Sequence, residues 1–246
     1  MQHSSLASNP DASRLPVMSD ADAPNDALGH RARLRERLVN GGGEAFHDHE
    51  LLEFILALGR PRVDTKPTAK ALLREFGGLG GVFAADHASL ARVPGMGELS
   101  VAALKAVQAT AIRLVKSAVA ERPVLANWQA LLDYLRADMA HHVVERFRVL
   151  HLDTRNHLIR DEVMSEGSID QAAVYVREVV KRALELGSAA VILVHNHPSG
   201  DPSPSRADVE ITKAIAAAGK PLGVAVHDHL IIGTRGHASL RAQGLI

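Results

Sequence analysis

The chain has 246 residues, enough for one or two domains, and 46% of them are hydrophobic, as is ordinary for a globular protein. It contains no cysteine, which excludes disulfides, thiolate metal sites, iron–sulfur clusters and cysteine nucleophiles. A formal net charge of zero and an aromatic content of 3% argue against binding nucleic acid through bulk positive charge or base stacking. Any transition-metal site must therefore take its ligands from the 14 histidines and from carboxylates.

Residues 1–28 are rich in Ser, Ala, Asp, Asn and Pro, and they lack the apolar core of a secretory signal. We expect a disordered tail there. Because no run approaches ~18 consecutive apolar residues, we also expect no transmembrane helix, no membrane partner and a cytoplasmic location.

Residues 29–117 predict an all-helical domain. Leu34 and Leu38 lie at helical spacing, and the glycines after Asn40 end that helix. Asp48 is expected to cap the next helix. Further helices are predicted over residues 68–76, 89–93 and 100–116.

The turn Pro94-Gly95-Met96-Gly97 and the helix after it resemble a helix-hairpin-helix, a motif whose turn offers backbone amides to a DNA phosphate. Ser100 and Val101 stand where that motif often carries Lys and Ala, and one hairpin alone binds DNA weakly. Two interpretations stay open: a weak DNA contact through Gly95 and Gly97, or a small helical domain for packing and protein interaction.

Residues 118–246 alternate helices with strands, a pattern that predicts an α/β domain with a central sheet. The apolar run Ala189–Val194 is typical of a strand that is buried on both faces. The other strands are predicted over residues 147–153, 156–160, 162–165, 222–226 and 230–232, and the helices over residues 128–140, 171–186 and 208–218.

One of three His-x-His triplets, His195-Asn196-His197, directly follows that buried run. Residues i and i+2 of a strand point to the same face, so His195 and His197 can bind one ion at the strand's carboxyl end. A loop rich in Pro and Gly leads to Ser205, which suits a helix N-cap, and Asp208 lies in the first turn of that helix. Two histidines and one carboxylate leave a fourth position open, as in catalytic zinc sites. The alternative is a Ser-x-x-Asp pair that only caps the helix.

This order of residues resembles the JAMM motif of the JAB1/MPN metalloprotease-like family, and HNHPSGDPSPSRADVEIT resembles the RadC (UPF0758) family nearly residue for residue. Similar stretches are RARLRERLVNGGGEAFHDHELLEFIL, SLARVPGMGELSVAALKA, REVVKRALELGSAAVILVHNHPSG and DHLIIG, so the resemblance covers residues 29–246. It implies a helical domain with a helix-hairpin-helix-like motif over residues 29–117. Over residues 118–246 it implies a JAB1/MPN-type, cytidine-deaminase-like α/β domain.

The resemblance also implies a function. His195, His197 and Asp208 would bind zinc, and Ser205 would help to hold the attacking water or the developing oxyanion. The implied reaction is hydrolysis of a peptide or isopeptide amide in a peptide or protein substrate.

In that family a glutamate on an early strand acts as the general base, and Glu145 is the best match in this sequence. A base must lie within ~3 Å of the water that it deprotonates, which sequence alone does not establish. Glu162 and Glu166 are the alternatives.

A second function stays open, since the RadC name links the family to DNA repair. On that interpretation the chain is a DNA-associated accessory protein, and the JAB/MPN fold serves as a scaffold. Its test is salt-dependent binding to duplex DNA.

The two other triplets receive structural interpretations. His227-Asp228-His229 stands at the end of a predicted strand, where it would either support a zinc-bound histidine or make structural hydrogen bonds. We favour the structural interpretation, which is a hydrogen bond or a surface turn. His47 and His49 are predicted to be surface residues.

Overall fold

The computed structural model describes residues 26–120, 123–167 and 176–246. The predicted tail lies almost wholly outside these ranges, as does the start of the helix predicted over residues 171–186. The chain divides into two compact units, residues 1–46 and 47–246. The described part of the first unit contains helix α1 (Asp26–Gly41), whose Arg37 guanidinium donates a hydrogen bond to Ala45 O at 2.6 Å.

The second unit begins with helices. They are α2 (Asp48–Gly59), α3 (Lys66–Phe76), α4 (Leu79–Ala84), α5 (His87–Ala91), α6 (Glu98–Ala120) and α7 (Trp128–Met139). Leu52 and Leu56 of α2, Leu72 of α3, Leu90 of α5 and Leu104 of α6 are buried together in one apolar core. No helix in the described ranges combines the length and the apolar composition that a bilayer crossing requires.

Two features of this helical part differ from the prediction. His47, not Asp48, is the N-cap of α2, and its backbone N–H donates to the Glu50 carboxylate at 3.0 Å. The sequence also does not predict α4, since Gly80 and Gly81 are poor helix formers.

A five-stranded sheet follows, in the spatial order β2-β1-β3-β4-β5. β3 and β4 are parallel, and every other neighbouring pair is antiparallel. The strands are β1 (Arg146–Leu152), β2 (Leu158–Glu166), β3 (Ala190–Asn196), β4 (Ala225–Gly233) and β5 (Gly236–Ser239). The two helices among them are α8 (Val176–Glu185) and α9 (Arg206–Gly219). This arrangement confirms the predicted α/β fold with a helical amino-terminal part.

Helices cover both faces of the sheet, so β3 at its centre is buried throughout. Ile192 and Val194 of β3 pack in a core with α7, whereas Val191 and Leu193 pack in a core with α8 and α9. The alternation of side chains along a strand explains this division. It also means that neighbouring residues at the end of β3 act on opposite sides of the sheet.

Two strands are longer than predicted, and β5 is not predicted at all. β2 is continuous through the charged Asp161, which forms an ion pair with Lys116 at 3.0 Å. β4 is continuous through His227-Asp228-His229, which places this triplet inside a strand rather than at its end. The sequence pattern misses both continuations because polar side chains interrupt the apolar alternation.

Candidate metal centre

The two histidines predicted to share a face lie together where β3 ends. His195 is fully buried, and His197 follows the strand with its backbone N–H donating to Ile232 O at 2.9 Å. Their Nε2 atoms are 2.9 Å apart. Because β3 is central and parallel to β4, this is the strand end at which α/β sheets commonly bind ligands.

A chain of hydrogen bonds fixes the tautomer of His195. The Thr212 hydroxyl donates to Asp208 O at 2.5 Å, so its oxygen accepts from His229 Nδ1–H at 2.6 Å. His229 Nε2 then carries a lone pair and accepts from His195 Nδ1–H at 2.8 Å. His195 Nε2 is therefore left without a hydrogen.

His197 reaches the same state by a shorter route. Its Nδ1–H donates to the backbone carbonyl of Asp201 at 2.7 Å, which leaves Nε2 with a lone pair. Burial lowers the pKa of His195 to about 4, and burial and the neighbouring His195 hold the pKa of His229 well below its usual range. In neutral rings the two Nε2 lone pairs therefore face each other.

Asp208 completes the group from the first turn of α9. Its Oδ2 accepts the Ser205 backbone N–H at 2.7 Å, and Ser205 Oγ accepts the Asp208 N–H at 3.2 Å. The second oxygen, Oδ1, is buried without a hydrogen-bond partner and lies 3.2 Å from His195 Nε2. Asp208 thus caps α9 through Oδ2, which also lies 3.8 Å from His197 Nε2, and directs Oδ1 at His195.

Ser205 is exposed at the N-cap of α9. Its Oγ accepts one hydrogen bond from Asp208, while its hydroxyl hydrogen has no acceptor among the described residues. The serine is therefore adjacent to the imidazole–carboxylate group, and its donor is available to another molecule.

Glu145 joins the histidines from the segment that precedes β1. Its Oε1 lies 3.9 Å from His195 Nε2, and its side chain is 17% exposed. One ligand atom from each of Glu145, His195 and His197 fits within a mutual distance of 4.8 Å. The carboxylate thus lies beside the imidazoles while keeping access to solvent.

The two alternative glutamates are each paired with an arginine. Glu162 accepts two hydrogen bonds from Arg182, at 2.6 and 2.8 Å, and this interaction lowers the Glu162 pKa. Glu166 accepts from Arg146 at 2.9 Å. The geometry therefore favours Glu145 among the three.

The residues present fit a divalent cation. Two imidazole lone pairs 2.9 Å apart and a buried carboxylate oxygen without a donor repel one another unless a positive charge lies between them. Nitrogen and oxygen donors in this number are the set that zinc takes in catalytic sites. His195 and His197 could therefore hold the metal together with Glu145, whose oxygen groups with theirs, or with Asp208, as the sequence predicts.

His229 makes buried hydrogen bonds, as favoured, and one partner is His195 Nδ1 at 2.8 Å; support of a zinc-bound histidine stays a prediction. Asp228 does have a structural role: its carboxylate accepts from His229 N–H at 2.7 Å and from Arg241 N–H at 3.0 Å. His227 bonds to Asn156 Oδ1 at 2.7 Å. Pairing of His229 with Leu193 across the parallel strands brings the His229 ring to the site.

In the turn Pro94-Gly95-Met96-Gly97, the backbone at Gly95 requires a glycine. Gly95 has a φ of +89°, its carbonyl accepts from the Arg60 guanidinium, and a Cβ here would overlap Thr68 Oγ1. Glu98 is the first residue of α6 and is exposed, so a carboxylate occupies the turn that a DNA phosphate would approach. DNA contact through Gly95 and Gly97 stays a prediction.

Comparison with known proteins agrees with this architecture. A family model described as a RadC-like JAB domain matches residues 125–245, and one described as UPF0758 N-terminal matches residues 27–102. A protein from Rhodobacter capsulatus named UPF0758 protein is 55% identical over 213 residues, which cover 87% of this chain and 100% of that relative. The chain belongs to the UPF0758 family. Helices α2 to α5 of this UPF0758 chain lie within the UPF0758 N-terminal match, whereas α7 and the sheet, with the histidine pair, lie within the RadC-like JAB domain match.

Proposed function

We propose that the chain is a zinc-dependent hydrolase that cleaves a peptide or isopeptide amide. One observation carries the proposal: the Nε2 atoms of His195 and His197 lie 2.9 Å apart, and the unpartnered Asp208 Oδ1 lies 3.2 Å from His195 Nε2. A buried group of acceptors with no donor is costly unless it binds a cation. The RadC-like JAB domain supports the same chemistry by family resemblance.

His195, His197 and Asp208 would hold the zinc ion, which would polarise a carbonyl as a Lewis acid and lower the pKa of a water molecule to ~7. Glu145 accepts a proton from the attacking water and delivers it to the leaving amine. The Ser205 hydroxyl donates to the oxygen on which negative charge develops. His229 keeps the His195 lone pair directed at the metal by accepting from Nδ1–H.

A cleft of about 470 Å³ next to Glu145 has room for a segment of the substrate. Val144 and Arg146, which flank Glu145, and Pro198, which follows His197, lie in its wall. The rest of its wall mixes apolar and polar residues. The helical part contributes Phe76, Ala84, Ala85, Asp86 and Ser89, and the region near β1 contributes His142 and Glu166. An extended polypeptide with an apolar side chain matches this lining.

The test combines metal analysis with hydrolysis. We expect one zinc per chain, lost in His197→Ala but retained in the exposed control His237→Ala. On a fluorogenic peptide library that includes isopeptide-linked members, Glu145→Gln should lower the rate ~10²–10⁴-fold. Glu210→Gln, which removes an exposed carboxylate of α9, should leave the rate unchanged. If the zinc-loaded protein cleaves no member, or if Glu145→Gln is fully active, the proposal is wrong.

A further inference from the structure

Asn196 separates the two histidines and acts on the other side of the sheet. His195 lies on the face that packs against α9, so the next residue points to the opposite face. The Asn196 side chain is fully buried there. It lies against residues 142–146, the segment that carries Glu145.

The Asn196 amide makes three hydrogen bonds to the backbone of this segment. Its Nδ2 donates to His142 O at 3.3 Å and to Val144 O at 3.1 Å, and its Oδ1 accepts the Arg146 N–H at 2.9 Å. Carbonyls only accept and a backbone amide only donates, so these partners fix the orientation of the side chain. The bonds bracket Glu145 on both sides.

Apolar packing does little to hold this segment. Residues 142–145 form no regular helix or strand, β1 begins at Arg146, and the exposed Val143 and Val144 do not anchor the segment in a core. The ladder between β1 and β3 ends at Phe147 and His195, whereas the ladder between β1 and β2 continues to Arg146 and Glu166. The His142 N–H also donates to Met139 O at 3.1 Å, and the Gly167 N–H donates to Glu145 O at 2.8 Å.

We propose that Asn196 is a positioning residue that holds Glu145 beside His195. The end of β3 thereby presents His195 and His197 on one face, and on the other face its Asn196 holds the segment that carries Glu145. The catalytic consequence rests on the hydrolase function proposed above, whereas the positioning itself does not. Misplacement of a reacting group by about 1 Å can lower a rate ~10²-fold.

Two variants isolate the three hydrogen bonds. Asn196→Ala removes all of them, and Asn196→Asp keeps the shape and the acceptor for Arg146 but loses both donors to the carbonyls. Asn127→Ala is the matched control, since it removes one side-chain bond to a backbone carbonyl, Ala118 O, elsewhere in the chain. All three retain the histidines and Asp208.

Two measurements use the metal-free protein. In Asn196→Ala, hydrogen exchange of the Arg146 amide should accelerate about tenfold, the factor expected for loss of one hydrogen bond. A crystal structure of either Asn196 variant should show the Glu145 carboxylate displaced by about 1 Å or more from His195 Nε2. Asn127→Ala should change neither. If Arg146 exchange is unchanged, or if Glu145 keeps its 3.9 Å distance, the positioning proposal is overturned.

The third measurement uses the zinc-loaded protein. Asn196→Ala should lower kcat ~10²-fold with KM nearly unchanged, and it should cause no further loss in a Glu145→Gln background. An undiminished kcat overturns the proposal. If wild-type protein cleaves no peptide, the hydrolase function fails, and exchange and the crystal structure alone decide whether Asn196 positions Glu145.

Discussion

His229 offers the sharpest test of the candidate metal centre. It is not one of the proposed metal ligands, so it would affect metal binding only through its hydrogen bond to His195. In His229→Leu, the His195 Nδ1–H loses its acceptor at 2.8 Å. The buried ring then either keeps an unpaired donor or moves its hydrogen to Nε2, which removes the lone pair that faces His197. Both outcomes weaken metal binding.

The expected loss of zinc affinity follows from what hydrogen-bond partners of ligating histidines contribute in other metal sites. Loss of the group that orients a ligating histidine typically lowers metal affinity 10–100-fold, which corresponds to about 1.4–2.7 kcal/mol. We expect a change of that size here because His229 is fully buried, so water does not replace the lost acceptor.

The assay is competition for zinc between the protein and a chromophoric chelator. His227→Leu is the control, since this histidine lies two residues earlier on β4 and bonds to Asn156 instead of the site. Circular dichroism of the metal-free proteins checks that both variants fold. Equal zinc affinity of His229→Leu and wild type would refute the reasoning about the tautomer.

Two further predictions concern single residues. Metal-free Asp208→Asn should melt no lower than metal-free wild type, because it replaces a carboxylate whose buried Oδ1 has no hydrogen-bond partner, and it should lose the rise in Tm that zinc gives the wild type. A lower Tm without metal would contradict this. Gly95→Ala should cost about 1–3 kcal/mol in urea unfolding, since φ is +89° and the Cβ would overlap Thr68. Gly97→Ala, with open space around its Cβ, should change stability by less than about 0.5 kcal/mol, and equal losses at both positions would contradict the structure.

Local pattern was sufficient to predict that two histidines share a face. His195 and His197 follow an uninterrupted apolar run, so the period of a strand decides where their side chains point. Asp208 is close in sequence and lies in the turn that its spacing from Ser205 indicates. These relations span at most 13 residues, and they require no knowledge of which strands pair.

The rest of the site depends on strand pairing. His229 reaches His195 because β4 runs parallel to β3 with a register shift between Val191 and Ile192, and nothing local in the sequence specifies that shift. The role of Asn196 depends in the same way on which residues of β1 lie opposite the end of β3. Polar residues inside β4 also interrupt the apolar alternation, so the sequence pattern does not predict one continuous strand there.

The end of β3 carries His195 on one face and Asn196 on the other, so the positions of both side chains depend on the register of this strand. Insertion or deletion of one residue within the strand would exchange its two faces, turning the imidazoles toward α7 and the amide toward α9. The approach of the two imidazoles to Asp208 and the hydrogen bonds from Asn196 to the segment of Glu145 would then be lost together, although the composition of the strand had scarcely changed. A shift of two residues would restore the faces but move every group by ~6.6 Å along the strand. We therefore expect β3 to tolerate an apolar substitution within Ala190–Val194 better than any change in its length.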